Sequence, residues 1–158
     1  AMKELKRLRL AGPIKDAIGE GKPFLGLCLG LQLLFEKSAE APGVKGLCIL
    51  KGESKRFKFK KGTLKIPHMG WNSIKVVRSP GHQVTSILKF IPKDAYMYFV
   101  HSYYVIPKDK SVILTTTDYG IDFVSGICKE NVYGFQFHPE KSQELGLKIL
   151  KNFVRLRC

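Results

Sequence analysis

Residues 21–36 read GKPFLGLCLGLQLLFE. An apolar run passes directly into leucines at helical spacing, and a cysteine at 28 sits between glycines 26 and 30 at the junction. A strand that turns at once into a helix must bury both elements against a common layer, so the chain is committed to an α/β architecture. The remaining pattern agrees. Upstream, Met2, Leu5 and Leu8, then Ile14, Ala17 and Ile18, recur at helical spacing, with Gly12 and Pro13 predicting a break and restart. LQLLFEKSAEA predicts a helix ending before Pro42. AYMYFVHSYYV, SVILTTTDYG, FVSGICKE and VYGFQFHPE read as strands, and a final helix is predicted from about Ser142 to Val154. The fold expected is α/β, an open mixed or mostly parallel sheet flanked by helices. Its 158 residues suit one domain, 1–158, with no repeat, low-complexity segment or long linker.

No stretch has the apolar length of a membrane span, and AMKELKRLRL lacks the core and cleavage site of a secretory signal. The cysteines at 28, 48, 128 and 158 form no CxxC pair and no cluster with histidine, so neither a metal site nor a disulfide framework is expected, and the cytoplasmic, reduced reading is preferred. Cys48, Cys128 and Cys158 read as small buried hydrophobes or a terminal thiol. The net charge is +14, densest in KGESKRFKFKKGTLK at 51–65. There Arg56, Lys58 and Lys60 alternate with Phe57 and Phe59 at strand period, and Gly62 suits a hairpin turn. A solvated hairpin and a basic docking surface both fit this segment. No nucleic-acid motif accompanies the charge.

The cysteine at the junction admits a chemical reading. A thiol reacts as the thiolate, and a helix N-terminus lowers its pKa through the dipole and free N–H groups. A sharp strand-to-helix turn needs small neighbours, which Gly26 and Gly30 supply, and directs the next N–H, that of Leu29, to where an oxyanion would develop. A buried cysteine in a glycine-rich turn would look the same. The catalytic reading therefore needs a base and a group to orient it. VYGFQFHPEKS ends an apolar strand at His138, Pro139 bends the chain, and Glu140 returns two residues later, close enough to fix the imidazole tautomer while leaving the other nitrogen for the thiol.

GLCLGLQ at 26–32 and FHPE at 137–140, in this order, resemble the two signatures of class I glutamine amidotransferases. PHMGWN at 67–72 and FVHSYYV at 99–105 narrow the likeness to those members that serve as glutaminase subunits of imidazole glycerol phosphate synthases, over residues 2 to about 154. The resemblance implies a flavodoxin-like three-layer fold and a reaction in which Cys28 attacks the side-chain amide of glutamine, His138 moves the proton and Glu140 holds His138, through a glutamyl thioester and with no cofactor or metal. It further implies that Gln32 contacts the substrate, that Glu40 meets its amino group, and that His101, Ser102 and Tyr103 hold its α-carboxylate, partly through the main chain. The implied partner is a (β/α)8-barrel cyclase subunit that receives the ammonia, docked against His68, Met69, Gly70, Trp71, Asn72 and Lys141. From composition alone Trp71 is equally a core or hairpin residue.

Members of the family open with a strand, helix and strand leading to a PGVG loop that completes the oxyanion hole. Residues 1–158 do not contain it, so the resemblance implies an N-terminally truncated domain whose first strands are missing. Two rival functions remain: another class I glutaminase, serving anthranilate, carbamoyl phosphate or GMP synthesis, against which PHMGWN argues, and a non-catalytic interaction module, against which the set Cys28, His138 and Glu140 argues.

Overall fold

The computed structural model describes residues 1–60, 62–77 and 86–156. Its main sheet is built on β10 (Val132–Phe135), buried along its whole length. β10 pairs in parallel with β1 (Phe24–Leu27) and antiparallel with β9 (Asp122–Lys129). The path continues through β7 (Tyr103–Pro107) and β3 (Leu50–Arg56) to β2 (Phe35–Ser38), while β8 (Ile113–Asp118) joins β9 and the short β5 (Lys75–Val76). Of the two sheet types expected, the mixed one forms: β1 with β10 and β2 with β3 run parallel, and the other pairs antiparallel. A second sheet pairs β4 (His68–Ser73) with β6 (Tyr96–His101).

Two apolar layers cover the main sheet. On one side α1 (Met2–Arg7), α2 (Ala11–Gly19) and α3 (Leu29–Leu33) bring Met2, Ile14 and Leu31 against Phe35, Val105 and Ile127. On the other, α4 (Gln143–Val154) and the β4–β6 pair enclose Phe57, Phe99, Phe135, Phe137 and Ile149. The three-layer arrangement follows from this alternation of side chains across the strands. No helix among the described residues is long and apolar enough to cross a membrane.

Four local expectations are corrected. The α1–α2 break falls at Leu8–Leu10, where Arg9 has φ +53°, and Gly12 and Pro13 lie in the first turn of α2, where a missing N–H costs nothing. The helix expected to run to residue 41 stops at Leu33. The carbonyls of Leu33 and Leu34 accept instead from Leu47, Ile49 and Leu50, and the chain leaves as β2, burying Phe35 in the core. The strand of the 51–65 segment, β3, takes its partners from β2 and β7, and among the described residues of that segment no second strand pairs with it as the expected hairpin would require. The period-two reading of its apolar face holds, since Phe57 is buried and stacks on Phe59 at 5.3 Å while Arg56, Lys58 and Lys60 face solvent. AYMYFVHSYYV is two strands, β6 and β7, which separate at Ser102 into different sheets.

Candidate active site

Cys28 links β1 to α3 with φ +48° and ψ −100°, outside the regions a non-glycine residue occupies comfortably. Such a conformation costs about 1–3 kcal/mol and persists only where its surroundings hold it. The Cys28 N–H donates to the Phe135 carbonyl at 2.7 Å and its own carbonyl accepts from the Gln32 N–H at 3.3 Å, tying the turn to β10 and α3. The two flanking glycines differ in purpose. A Cβ on Gly26 would lie 2.8 Å from the Gly30 backbone, so close packing of the turn demands glycine there, whereas a Cβ on Gly30 would meet open space.

The thiol is not acidified as the sequence led us to expect. Burial pushes it above the ordinary cysteine range, and the carboxylates of Glu140 and Glu40 add to the rise; the Leu29 N–H and the Gln136 amide oppose it without cancelling it. A five-residue helix offers too small a dipole to overturn that balance. The resting sulfur is a neutral thiol that donates to the Val100 carbonyl at 3.9 Å.

His138 follows β10 at the point where Pro139 begins a single 3-10 turn, Pro139–Lys141. Its Nδ1 lies 2.7 Å from Glu140 Oε1, and its Nε2 is buried with no hydrogen-bond partner. The backbone is fixed on both sides. The His138 N–H donates to the Tyr98 carbonyl at 2.9 Å, and Ser142 Oγ donates to the His138 carbonyl at 2.6 Å. α4 can approach this turn because Gly146 carries no side chain; a Cβ there would strike the Pro139 carbonyl.

Tyr98 and Val100 are two residues apart on β6, so their carbonyls point the same way. One receives the His138 main-chain N–H and the other the Cys28 thiol, which brings the His138 backbone and the Cys28 sulfur to one edge of β6 although 110 positions separate them in the chain. Beside them opens a cleft of about 330 Å³ lined by Cys28, Leu29, Gln32, Glu40, His101, Ser102 and Tyr103, together with Pro67 and Val100, which sequence reasoning did not select.

Several expected contacts are redistributed. Gln32 lies at the cleft, but its amide Nε2 is held inward by the Tyr103 carbonyl and Gln136 Oε1, both at 3.2 Å. The His101 ring is buried, with Nδ1 2.8 Å from the Tyr103 carbonyl and Nε2 3.0 Å from His68 Nδ1, so both of its ring nitrogens are already engaged within the protein. Burial pushes His101 down to about 3 and His68 to about 4. On β4 the expected docking residues divide by strand parity. Met69 and Trp71 face outward at 62% and 46% exposure, with Gly70 between them and Lys141 also exposed. His68 and Asn72 do not belong to that face. His68 is stacked between Phe99 and Tyr119, and the Asn72 amide donates to the Asp118 carbonyl at 2.8 Å. Cys48 is exposed rather than buried, Cys128 is half-buried, and Cys158 lies outside the described residues.

Residues 8–156 match the family of class-I glutamine amidotransferases. Among curated relatives, the imidazole glycerol phosphate synthase subunit HisH of Aquifex aeolicus is 52% identical over 155 residues, covering 98% of this chain and 71% of its own length. HisH of Pyrococcus furiosus is 48% identical over 149 residues, covering 91% and 72%. Among solved structures, a glutamine amidotransferase of Thermotoga maritima superposes with a TM-score of 0.57 at 19% identity, over 96% of this chain and 55% of that one. A second glutamine amidotransferase gives 0.67 at 16%, over 96% and 72%. Sequence match and shared fold lead to one assignment: the chain belongs to the class I glutamine amidotransferase family, and within it to the HisH group.

Proposed function

We propose that the chain hydrolyses the side-chain amide of L-glutamine through Cys28 and delivers the ammonia to a synthase partner. The observation that supports this reading is His138: one ring nitrogen is held by Glu140 at 2.7 Å, the other is buried and unpartnered, and its main-chain N–H is bound to the same strand, β6, whose Val100 carbonyl receives the Cys28 thiol. Glu140 accepts the Nδ1 proton and leaves Nε2 basic. The thiol leaves the Val100 carbonyl for Nε2, passes its proton there, and the sulfur attacks the amide carbon of glutamine. The oxyanion formed meets the Leu29 N–H. His138 returns the proton to the departing nitrogen as the C–N bond breaks, giving ammonia and a glutamyl thioester. Water, deprotonated by His138 Nε2, then attacks the thioester carbon, and as the C–S bond breaks the imidazolium returns that proton to sulfur, releasing glutamate and restoring the thiol.

The elevated thiol pKa suits this scheme, because the thiolate forms when substrate and base are in place rather than standing exposed to side reactions. Glu40 would meet the substrate's ammonium group and the main chain of Ser102 and Tyr103 its carboxylate, a reading supported by their all lining the cleft beside Cys28. The partner that receives the ammonia is a cyclase subunit of barrel form, in keeping with the HisH relatives' description as imidazole glycerol phosphate synthase subunits. Met69, Gly70, Trp71 and Lys141 form the face offered to it. Incubation with 6-diazo-5-oxo-L-norleucine followed by intact mass measurement tests the chemistry. One adduct is expected on the wild type and none on Cys28→Ser; an adduct that survives that substitution overturns the assignment. Failure of a purified cyclase to co-elute, or to alter glutamine turnover, overturns the partner.

A further inference from the structure

Gln136 stands one residue beyond β10, wholly buried, and neither the sequence motifs nor the proposed chemistry assigns it a role. Its Nε2 lies 3.6 Å from Cys28 Sγ and its Oε1 accepts from Gln32 Nε2 at 3.2 Å. Its main-chain N–H is held by the Ser125 carbonyl at 2.9 Å. The orientation of the amide is fixed by what surrounds it. Gln32 also donates to the Tyr103 carbonyl, which can only accept, so the nitrogen of Gln32 faces both partners. The atom of Gln136 that receives it must then be the oxygen, and the NH2 group is left aimed at sulfur.

The same reasoning extends away from the site. The Asp118 carbonyl fixes the Asn72 nitrogen, and Asn72 Oδ1 is fixed by the Ser73 N–H at 2.8 Å. His68 Nε2, 3.3 Å from that nitrogen, must accept, so His68 Nδ1 carries the proton and donates to His101 Nε2 at 3.0 Å. His101 Nδ1 in turn donates to the Tyr103 carbonyl. Proton positions inferred from the two ends of this chain agree, with every donor directed toward Tyr103, and the Tyr103 carbonyl has both lone pairs engaged, one by His101 and one by Gln32.

We propose that Gln136 is a positioning residue for the nucleophile: its buried amide, oriented through Gln32, Tyr103, His101 and His68, donates a hydrogen bond to the Cys28 sulfur and stabilises the thiolate when it forms. This deepens the glutaminase reading and rests on it for its catalytic meaning. The titratable groups assigned to the sulfur are His138, which takes its proton in the proposed reaction, and the carboxylates of Glu140, after β10, and Glu40, after β2, which oppose the thiolate. The Gln136 amide and the Leu29 N–H are the donors set against them.

The test reads the sulfur itself. Alkylation of Cys28 by iodoacetamide is followed against pH by peptide mass, with Cys48 as internal control. Gln136→Met keeps the shape and removes the donor; Gln136→Glu keeps the acceptor for Gln32 and places a carboxyl group at the sulfur. In both, the Cys28 midpoint should rise by about one unit or more, tenfold less thiolate at a given pH below it, with Cys48 unchanged. A second measurement uses the unsubstituted chain. The side-chain 15N–1H resonances of Gln136 should titrate with the Cys28 midpoint and lose that inflection in Cys28→Ser. An unchanged midpoint in folded variants, or amide resonances indifferent to the thiol, overturns the proposal. Glutamine turnover is measured in parallel. If the wild type does not hydrolyse glutamine while the Gln136 effects persist, the glutaminase reading fails and the positioning of the sulfur stands.

Discussion

His138, bound through its main-chain N–H to β6, and the His68–His101 pair, which bridges β4 and β6, are opposite kinds of histidine. In the pair, every ring nitrogen has a partner: Asn72 and His101 for His68, His68 and the Tyr103 carbonyl for His101. Burial holds their pKa values down near 4 and 3, and the hydrogen-bond chain has room for one proton per ring, so both stay neutral. His138 has one nitrogen engaged and one buried without a partner. Burial alone therefore does not mark a reactive histidine. What marks it is unspent hydrogen-bonding capacity aimed at a site, because a buried orphan nitrogen is costly unless something arrives to use it.

The sharpest way to break this contrast is to remove the unspent nitrogen. His138→Asn should lower glutamine hydrolysis by about 10³–10⁴-fold, the scale expected when a general base is lost from a unit of this type, while thermal unfolding shifts little; a loss below tenfold removes His138 as the base. Glu140→Gln should cost less, about 10–100-fold, with most of the loss in kcat. Its carboxylate is 44% solvent-exposed on the side-chain scale and competes with water for the ring, so the tautomer is held less absolutely than by a buried acid. A fall in kcat/KM carried wholly by KM would show instead that Glu140 serves binding.

The paired histidines should answer through stability. His68→Phe keeps an aromatic ring between Phe99 and Tyr119 but strands His101 Nε2 in the core, at a cost of about 1–3 kcal/mol. Replacing His101 by Phe as well removes both ends of that bond, so the double variant should lose less than the sum of the singles in urea unfolding. The pH dependence has a definite sign. Both folded pKa values lie below the unfolded imidazole value of 6.5. Between 6.5 and about 4 the unfolded chain therefore binds more protons than the folded one, and stability present above pH 6.5 is lost as pH falls through that window. The urea midpoint of the wild type should drop from pH 7 to pH 5, and the double variant should show a smaller drop.

The turn at Cys28 and the His138–Glu140 pair were legible because they are local: a turn that needs Gly26, and a proline beside an i, i+2 pair. Gln136 was not, since its contacts to Gln32 and Cys28 span 104 and 108 positions and depend on β10 lying beside β1. Likewise, the helical reading of 31–41 followed propensity, while the outcome was decided by Phe35 and by β3 offering β2 a parallel edge. The thiol pKa failed for a related reason. Sequence displays the helix N-terminus but hides the burial and the two carboxylates that outweigh it.

The smallest effect should separate neighbours on one strand. Trp71 and Asn72 are consecutive on β4, so their side chains take opposite faces. Trp71 is 46% exposed and meets Tyr98 edge-on at 6.0 Å, whereas the Asn72 amide donates to both Asp118 and His68 and accepts from the Ser73 N–H. Asn72→Ala strands the His68 acceptor and releases the β8–β9 turn, and should cost about 1–2 kcal/mol. Trp71→Ala should stay within about 0.5 kcal/mol of wild type, because nothing buried depends on it. If Trp71 serves the face offered to the cyclase, the same substitution should weaken co-elution with that subunit at least tenfold, while Asn72→Ala weakens it only in proportion to the unfolded fraction. Equal destabilisation by the two would show that Trp71 is a packing residue of the β4–β6 sheet, and the docking face would then have to be sought elsewhere.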